Sequence, residues 1–363
     1  MTFLKSRFFE KCLKPGLVFQ GVVIGAGYGT GREIVEFFLR HGPLAGLLGL
    51  ILITTPIWSI LLAISFEFSR SFEVFDYRSF TQRLLGRFWW AFEILYVILM
   101  LVVLAVIASA AGVLLRDNFG IPYLAGVCLM LVTIGFLAYK GSMVIESFLS
   151  SWSILLYVVY GSFLVASFWK FGRAIAGNFA HAAPFAQWSL SGFKYALYNL
   201  IVIPALLFLA RHMESRKEAV KAGLLGGFIG GLPAILFLFC LSSHYPSVLT
   251  AEIPAVFVLK KLNLPLLTIA FQIVLFGTLI QTGIGFLHGF NERVYAQMAR
   301  SGKNLNPKLR SVISWLLLLI GLGLAPLGII NLIAKGYGSL SWGVFLLLFI
   351  PLLVWGGQKI SRR

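Results

Sequence analysis

Seven consecutive residues, Gly25-Ala26-Gly27-Tyr28-Gly29-Thr30-Gly31, place four glycines at alternate positions inside an apolar stretch. Glycine costs a helix about 1 kcal/mol relative to alanine, so a helix through this stretch is weakest here. If the stretch lies in a membrane, unwound backbone exposes N–H and C=O groups that lipid cannot satisfy. It then persists only where it lines a polar cavity or binds something. The resuming helix would offer the N–H groups of Gly29 to Gly31 and the positive end of its dipole to an anion such as a carboxylate. The same spacing also permits close packing of small residues between helices, and both readings are open at this point. A nucleotide loop is excluded because no strand precedes the motif and no βαβ unit surrounds it.

Charges follow at once. Arg32, Glu36 and Arg40 stand four residues apart and form one helical stripe in which neighbours can neutralise each other. Glu33 lies about 100° off that stripe and has no partner at helical spacing. A lone carboxylate in a span is a candidate functional group, suited to a solute ammonium or a proton, unless it is simply a wet vestibule charge. Glu67, Glu93, Glu146 and Glu292 fall near predicted span ends and read as interfacial. Further along, Tyr198-Asn199 precedes Pro204, which lacks an N–H and frees a carbonyl about one turn earlier, near Leu200. This is a second, weaker break. Tyr28, Tyr96 and Tyr198 could close over a solute, each with an apolar body and a hydroxyl. With 33 phenylalanines and 12 tyrosines in the chain, most aromatics must serve packing.

Other chemistries find no support. Cys12, Cys128 and Cys240 are scattered, His181, His244 and His288 are isolated, and neither HExxH nor GxSxG occurs. No enzyme is expected. A channel would need a filter or charge ring, and none is found.

The elements that must position these residues are transmembrane helices. The 363 residues are 59% hydrophobic and only 12% charged, with mean hydropathy +0.91, far too apolar for a water-soluble fold. Apolar runs bounded by charges, glycines and prolines predict ten spans. Five lie near 15–40, 43–69, 89–115, 121–139 and 143–169, and five near 190–210, 222–242, 264–290, 311–333 and 340–358. The first run is too long for a signal peptide and is expected to be retained. The net charge of +17 is a topology signal rather than a nucleic-acid signal, because almost no residues remain outside the spans. With the N-terminus in the cytoplasm, 21 of the 30 basic residues lie inside and eight outside, with Arg32 in a span, so both termini are expected to be cytoplasmic. The polar segment 170–189 separates five spans from five. An odd number in each half inverts the second half relative to the first, as is common in secondary transporters.

The residues Gly21-Val-Val-Ile-Gly-Ala-Gly-Tyr-Gly-Thr-Gly-Arg-Glu-Ile34, with Phe37-Phe38, resemble the first helix of the bacterial YkvI-like membrane proteins. Tyr195-Ala-Leu-Tyr-Asn-Leu200 with Pro204 is similar to that family's sixth helix. More distantly, the layout resembles the amino acid-polyamine-organocation superfamily with the LeuT fold. The resemblance implies one all-α transmembrane domain, with inverted repeats at about 15–169 and 190–333 and the last helices reaching 358. Helices 1 and 6 would be broken, with a solute between helices 1, 3, 6 and 8. The solute candidates are then Gly25 to Gly31, Glu33, Tyr96, Tyr198 and Asn199. In that fold a sodium ion is held between helix 8, here Thr278, Gln281 and Thr282, and carbonyls of helix 1, here Gly21 and Ile24. Oxygen ligation suits such a hard cation. Equally, the threonine hydroxyls could bond carbonyls of their own helix and hold no ion. A second sodium site of that fold uses an asparagine where this chain has Tyr28.

The expected function is secondary transport of a small amino-acid-like or other carboxylate or amine solute in the bacterial cytoplasmic membrane. Its partners would be the solute and the bilayer, with no cofactor unless sodium. The alternative is a non-transporting ligand sensor on the same fold, like a germinant-receptor membrane subunit.

Overall fold

The computed structural model of the protein describes residues 7–140, 142–180, 186–300 and 307–361. Each predicted span falls largely on helical backbone, and the described residues contain no strand. Among the described residues six helices are long and apolar enough to cross a membrane: Pro43–Phe72, Tyr77–Phe119, Leu155–Ala180, Arg216–Ser242, Pro265–Leu287 and Ile329–Ile360. Two shorter apolar helices are Tyr123–Leu137 and Ser311–Leu327.

The first span is interrupted at its glycines. Helix α1 (Lys14–Val23) stops at Ile24, whose ψ of 75° leaves the helical region. A single turn, α2 (Ala26–Gly29), follows. Gly31 then takes φ 79°, a left-handed conformation that a side chain would oppose, and α3 (Arg32–Phe37) begins. Pro43 opens α4 (Pro43–Phe72). Asp76 caps the short α5 (Tyr77–Leu85) by accepting from the amides of Arg78 and Ser79. Next come α6 (Trp89–Phe119), α7 (Tyr123–Lys140) and α8 (Ser142–Ala180). The window of α6 is 78% buried, the highest share of any span, which makes it the central helix.

The second half opens on another interruption. Helix α9 (Trp188–Asn199) gives way to 3-10 turns over Leu200–Ala205, which include Pro204, and Leu207–His212. Ser215 caps α10 (Arg216–Ser242), and the short α11 (Pro254–Leu262) precedes α12 (Pro265–Arg300). The chain ends with α13 (Pro307–Leu324) and α14 (Ile329–Ile360). In each half the broken helix comes first, and a short helix (α5 or α11) follows the second span. The first and last described segments lie on one face, here the terminal face, where the Arg211 guanidinium before α10 stands 5.5 Å from the centre of the Phe75 ring before α5. There Lys11 pairs with Glu214 at 2.8 Å and Glu218 at 3.2 Å, and Lys359 Nζ donates to the Arg83 carbonyl at 2.8 Å.

Two expectations need correction. Helix α8 runs on to Ala180, so Lys170, Gly172, Arg173 and Gly177 are helical rather than part of a polar connection. His181 and Pro184 lie outside the described residues, as do Gly141, Lys303 and the chain termini 1–6 and 362–363. The last two spans divide at Gly328, φ 80°, not at 334–339, and Lys335 sits in a helical turn. Charge marked depth in these places, not the end of a helix.

Close packing around α10 fixes the broken helices. Gly223, Gly227 and Gly231 lie at four-residue spacing against Ala63, Ser59 and Thr55 of α4, where added Cβ atoms would run into them. On another flank Gly226 meets Gly16, and Gly230 lies under the Phe19 ring of α1. Phe19 packs edge-on to Trp58 at 5.2 Å, and Trp58 Nε1 donates to the Ala196 carbonyl of α9 at 3.1 Å. Gly227→Val is therefore expected to lower the melting temperature in detergent, at an overpacking cost of about 1–3 kcal/mol. Gly161→Ala, where a Cβ would meet nothing within 4 Å, should melt like wild type or slightly higher. Equal melting of the two variants would show that α4 and α10 are not held this closely.

Candidate functional site

The break in the first span is internally bonded. Gly29 N–H donates to Gly25 O and Gly31 N–H to Tyr28 O, each at 2.8 Å, and Thr30 Oγ1 donates to Gly27 O at 2.8 Å. The Tyr160 hydroxyl of α8 donates to Gly29 O at 2.9 Å, and Ala255 N–H of α11 donates to Thr30 O at 3.0 Å. The expectation that Gly29 and Gly31 present free N–H groups to an anion is thus corrected. A residual turn and the reversal at Gly31 already use both. Gly25 faces α12, with Thr282 Cγ2 3.5 Å from where its Cβ would stand, and Ala26 contributes helical backbone.

Glu33 is the group that enters the break. Its carboxylate folds back over Gly27, where a Cβ would overlap it, and accepts a hydrogen bond from the Tyr198 hydroxyl of α9. Only 4% of the residue is exposed, and no described Lys, Arg or His lies within ion-pairing distance. The adjacent Arg32 points the other way. It pairs with Glu36 at 2.9 Å and donates to Leu249 O at 2.8 Å and Ala251 O at 3.0 Å. Arg40 takes the other oxygen of Glu36. The segment before α11 therefore seals the far side of the break through Arg32, and α11 itself through Thr30. On the terminal side, Gly21 and Val22 of α1 are exposed.

Aromatic rings surround the carboxylate. Tyr198 stacks on Tyr337 of α14 at 4.7 Å and on Phe37 at 5.7 Å, and meets Tyr195 edge-on at 5.5 Å. Tyr28 stacks on Phe237 of α10 at 6.0 Å, and its buried hydroxyl has no hydrogen-bond partner among the described residues. Tyr160 stacks on Phe237 at 5.7 Å and on Phe271 at 4.8 Å. Asn199 is buried, and its amide donates to Tyr195 O at 3.0 Å. Sequence reasoning passed over Tyr160, Phe237 and Tyr337. Among 12 tyrosines and 33 phenylalanines nothing local distinguishes them, and Tyr337 fell in a segment read as a connection.

Two other predicted groups are placed differently. Tyr96 belongs to a cluster near the terminal face, with Tyr77 at 5.9 Å, Phe286 at 6.2 Å and the Arg293 guanidinium 3.6 Å from its ring centre. Its position near the start of α6 puts it beside that arginine. On α12, Thr278 Oγ1 donates to Val274 O at 2.8 Å and Thr282 Oγ1 to Thr278 O at 3.0 Å, while Gln281 is half-buried. Their hydroxyl hydrogens serve their own helix, which leaves oxygen lone pairs facing outward. Ile24 is buried and Gly21 exposed across from them. The side chains of Glu146, His288 and Glu292 lie outside the described residues.

This geometry has counterparts in other proteins. No protein-family model matches the chain. MhsT in complex with L-phenylalanine aligns over 98% of this chain and 95% of its own, with TM-score 0.65 and 17% identity. A manganese transporter from Eremococcus coleocola gives TM-score 0.59 at 13% identity, covering 97% of this chain and 79% of its own. A sodium-coupled sialic acid symporter gives TM-score 0.53 at 13% identity, over 97% of this chain and 87% of its own. These likenesses establish the LeuT fold. The uncharacterized membrane protein YkvI of Bacillus subtilis (strain 168) is 30% identical over 76% of this chain and 79% of its own length. On that identity and extent, carried by a fold with broken first and sixth spans, the chain belongs to the YkvI family of membrane proteins.

Proposed function

We propose that this protein is a secondary transporter of a small, amino-acid-like solute, whose amine is bound by Glu33 at the break in the first span. One observation carries the reading: a buried carboxylate at the break, held by Tyr198 and with no cation beside it. Ionising a buried carboxyl without a cation beside it is costly, so a cationic group entering the break would stabilise the charged form of Glu33 and be held by it. The rings of Tyr28 and Tyr198 add faces that attract an ammonium and cover an apolar side chain. MhsT holding L-phenylalanine supports a solute of this class. A metal cargo is less well supported, since no group of three or more His, Cys, Asp or Glu is found among the described residues.

Glu33→Gln keeps the shape and the bond from Tyr198 but removes the charge. Counterflow into proteoliposomes with a panel of labelled amino acids, amines and organic acids identifies the solute. For an amine-bearing solute so found, Glu33→Gln is expected to weaken affinity at least about tenfold, equivalent to about 1.4 kcal/mol, without lowering the melting temperature. Unchanged affinity would remove Glu33 from the site. Binding without counterflow would favour the sensor over the carrier.

Sodium coupling is the finer part of the proposal. A sodium ion would be held by the carbonyls of Gly21 and Ile24 and by lone pairs of Thr278, Thr282 and Gln281, an all-oxygen set that suits it. Thr282→Val is expected to lower apparent sodium affinity while leaving the fold intact. Identical uptake in sodium and choline buffers would dismiss the ion. The terminal face is proposed to be cytoplasmic, because Lys11, Arg83, Arg211 and Lys359 gather there. Reporter fusions at both ends should then be active only as cytoplasmic reporters, and activity outside would reverse the assignment.

A further inference from the structure

A cavity of about 300 Å³ lies on the far face between the end of α3, the turn at His41 and the start of α9. Glu36, Phe37, Arg40, His41, Ser191 and Lys194 line it. Its charges do not cancel. Glu36 is shared by Arg32 and Arg40, which leaves one positive charge over on that carboxylate. Lys194 adds another, for no described carboxylate lies within ion-pairing distance of it. Its ammonium stands 5.7 Å from the centre of the Trp342 ring, and its carbonyl accepts from Ser341 Oγ at 2.9 Å, so α14 holds this part of α9 in place. His41 bonds the Ala186 carbonyl through Nδ1 at 3.0 Å, and burial lowers its proton affinity, so it adds little charge near neutrality. The excess comes from Arg40 and Lys194.

Phe37 connects this cavity to the break. It lines the cavity, and its ring stacks on Tyr198, which holds Glu33. Two stacked aromatic side chains, Phe37 and Tyr198, therefore lie between a positively charged cavity and a buried carboxylate. We propose that the cavity is an anion site for a small organic carboxylate, with Lys194 and Arg40 as its positive groups, receiving the acid end of the solute before it passes Phe37. The assignment of the acid end to the transported solute rests on the amine reading of Glu33. The anion site itself does not.

Two probes of the same shape and opposite charge, benzoate and benzylamine, separate the two assignments. Each is titrated at constant ionic strength into the full-length protein in detergent, and melting is followed by tryptophan fluorescence. Benzoate is expected to raise the melting temperature of wild type and of Glu33→Gln. In Lys194→Gln the concentration for half the shift should rise at least tenfold, and in Lys194→Arg it should stay near wild type. Arg40 is 54% exposed, so Arg40→Gln provides a second variant should Lys194→Gln fail to fold. Absence of a benzoate shift in wild type, its persistence in both neutral variants, or its loss in Glu33→Gln would each overturn the anion site. Benzylamine reports on Glu33 alone: its failure to stabilise wild type would overturn the amine reading and leave the anion site standing.

Discussion

Backbone polar groups at membrane depth must find partners inside the protein, and the break in the first span is arranged around that constraint. Once α1 stops at Ile24, the chain turns through Gly25 and Gly31, and its carbonyls need donors from elsewhere. They come from three directions: Thr30 within the segment, Tyr160 from α8 and Ala255 from α11. The last two tie the break to α8 and α11. The segment is irregular but held, and its position defines where Glu33 can reach.

The glycines of α10 carry this arrangement across the molecule. Hydrophobic burial adds little between helices in lipid, so close backbone approach and dispersion must supply the attraction. Small residues on two flanks let α10 touch α4 and α1 at once. Helix α4 then fixes α9 through Trp58 and through Thr54, whose hydroxyl donates to Gly192 O at 3.0 Å. Tyr198 is thus held toward Glu33 through contacts that run from the glycines of α10 by way of α4 to α9.

Much of this was legible in the sequence, for physical reasons that particular residues make plain. Four glycines in seven residues weaken a helix whatever surrounds them, and Pro204 removes a donor in any context, so both interruptions could be located. The four-residue spacing of Arg32, Glu36 and Arg40 left Glu33 as the odd charge, and the coordinates keep those three together and Glu33 apart. Tertiary contacts were not legible. Tyr160, Phe237 and Tyr337 reach the break from three distant helices, and Tyr96 has the right residue type but stands beside Arg293. Lys335 falls between the predicted spans 311–333 and 340–358 yet is helical, because a long side chain can reach the interface from within a helix.

The two faces of the break differ in what a solute would have to disrupt. From the far face the way to Glu33 is barred by α11 and the residues before it, through hydrogen bonds from Arg32 to Leu249 O and Ala251 O and from Ala255 to Thr30 O. On the terminal side Gly21 and Val22 of α1 are exposed, and no such bonds join their backbone to another helix among the described residues. Opening the far side means moving a short helix as a unit and rehydrating one guanidinium, one amide N–H and the carbonyls of Thr30, Leu249 and Ala251. That is a discrete step rather than a gradual loosening, because packed elements exchange between alternative contacts rather than deforming continuously. Arg32 would keep Glu36 through that step, since both belong to the same helix turn, so the charge stripe stays neutralised while the seal opens. A carrier needs a seal that can be broken without stranding a charge, and the four-residue spacing of Arg32 and Glu36 provides one.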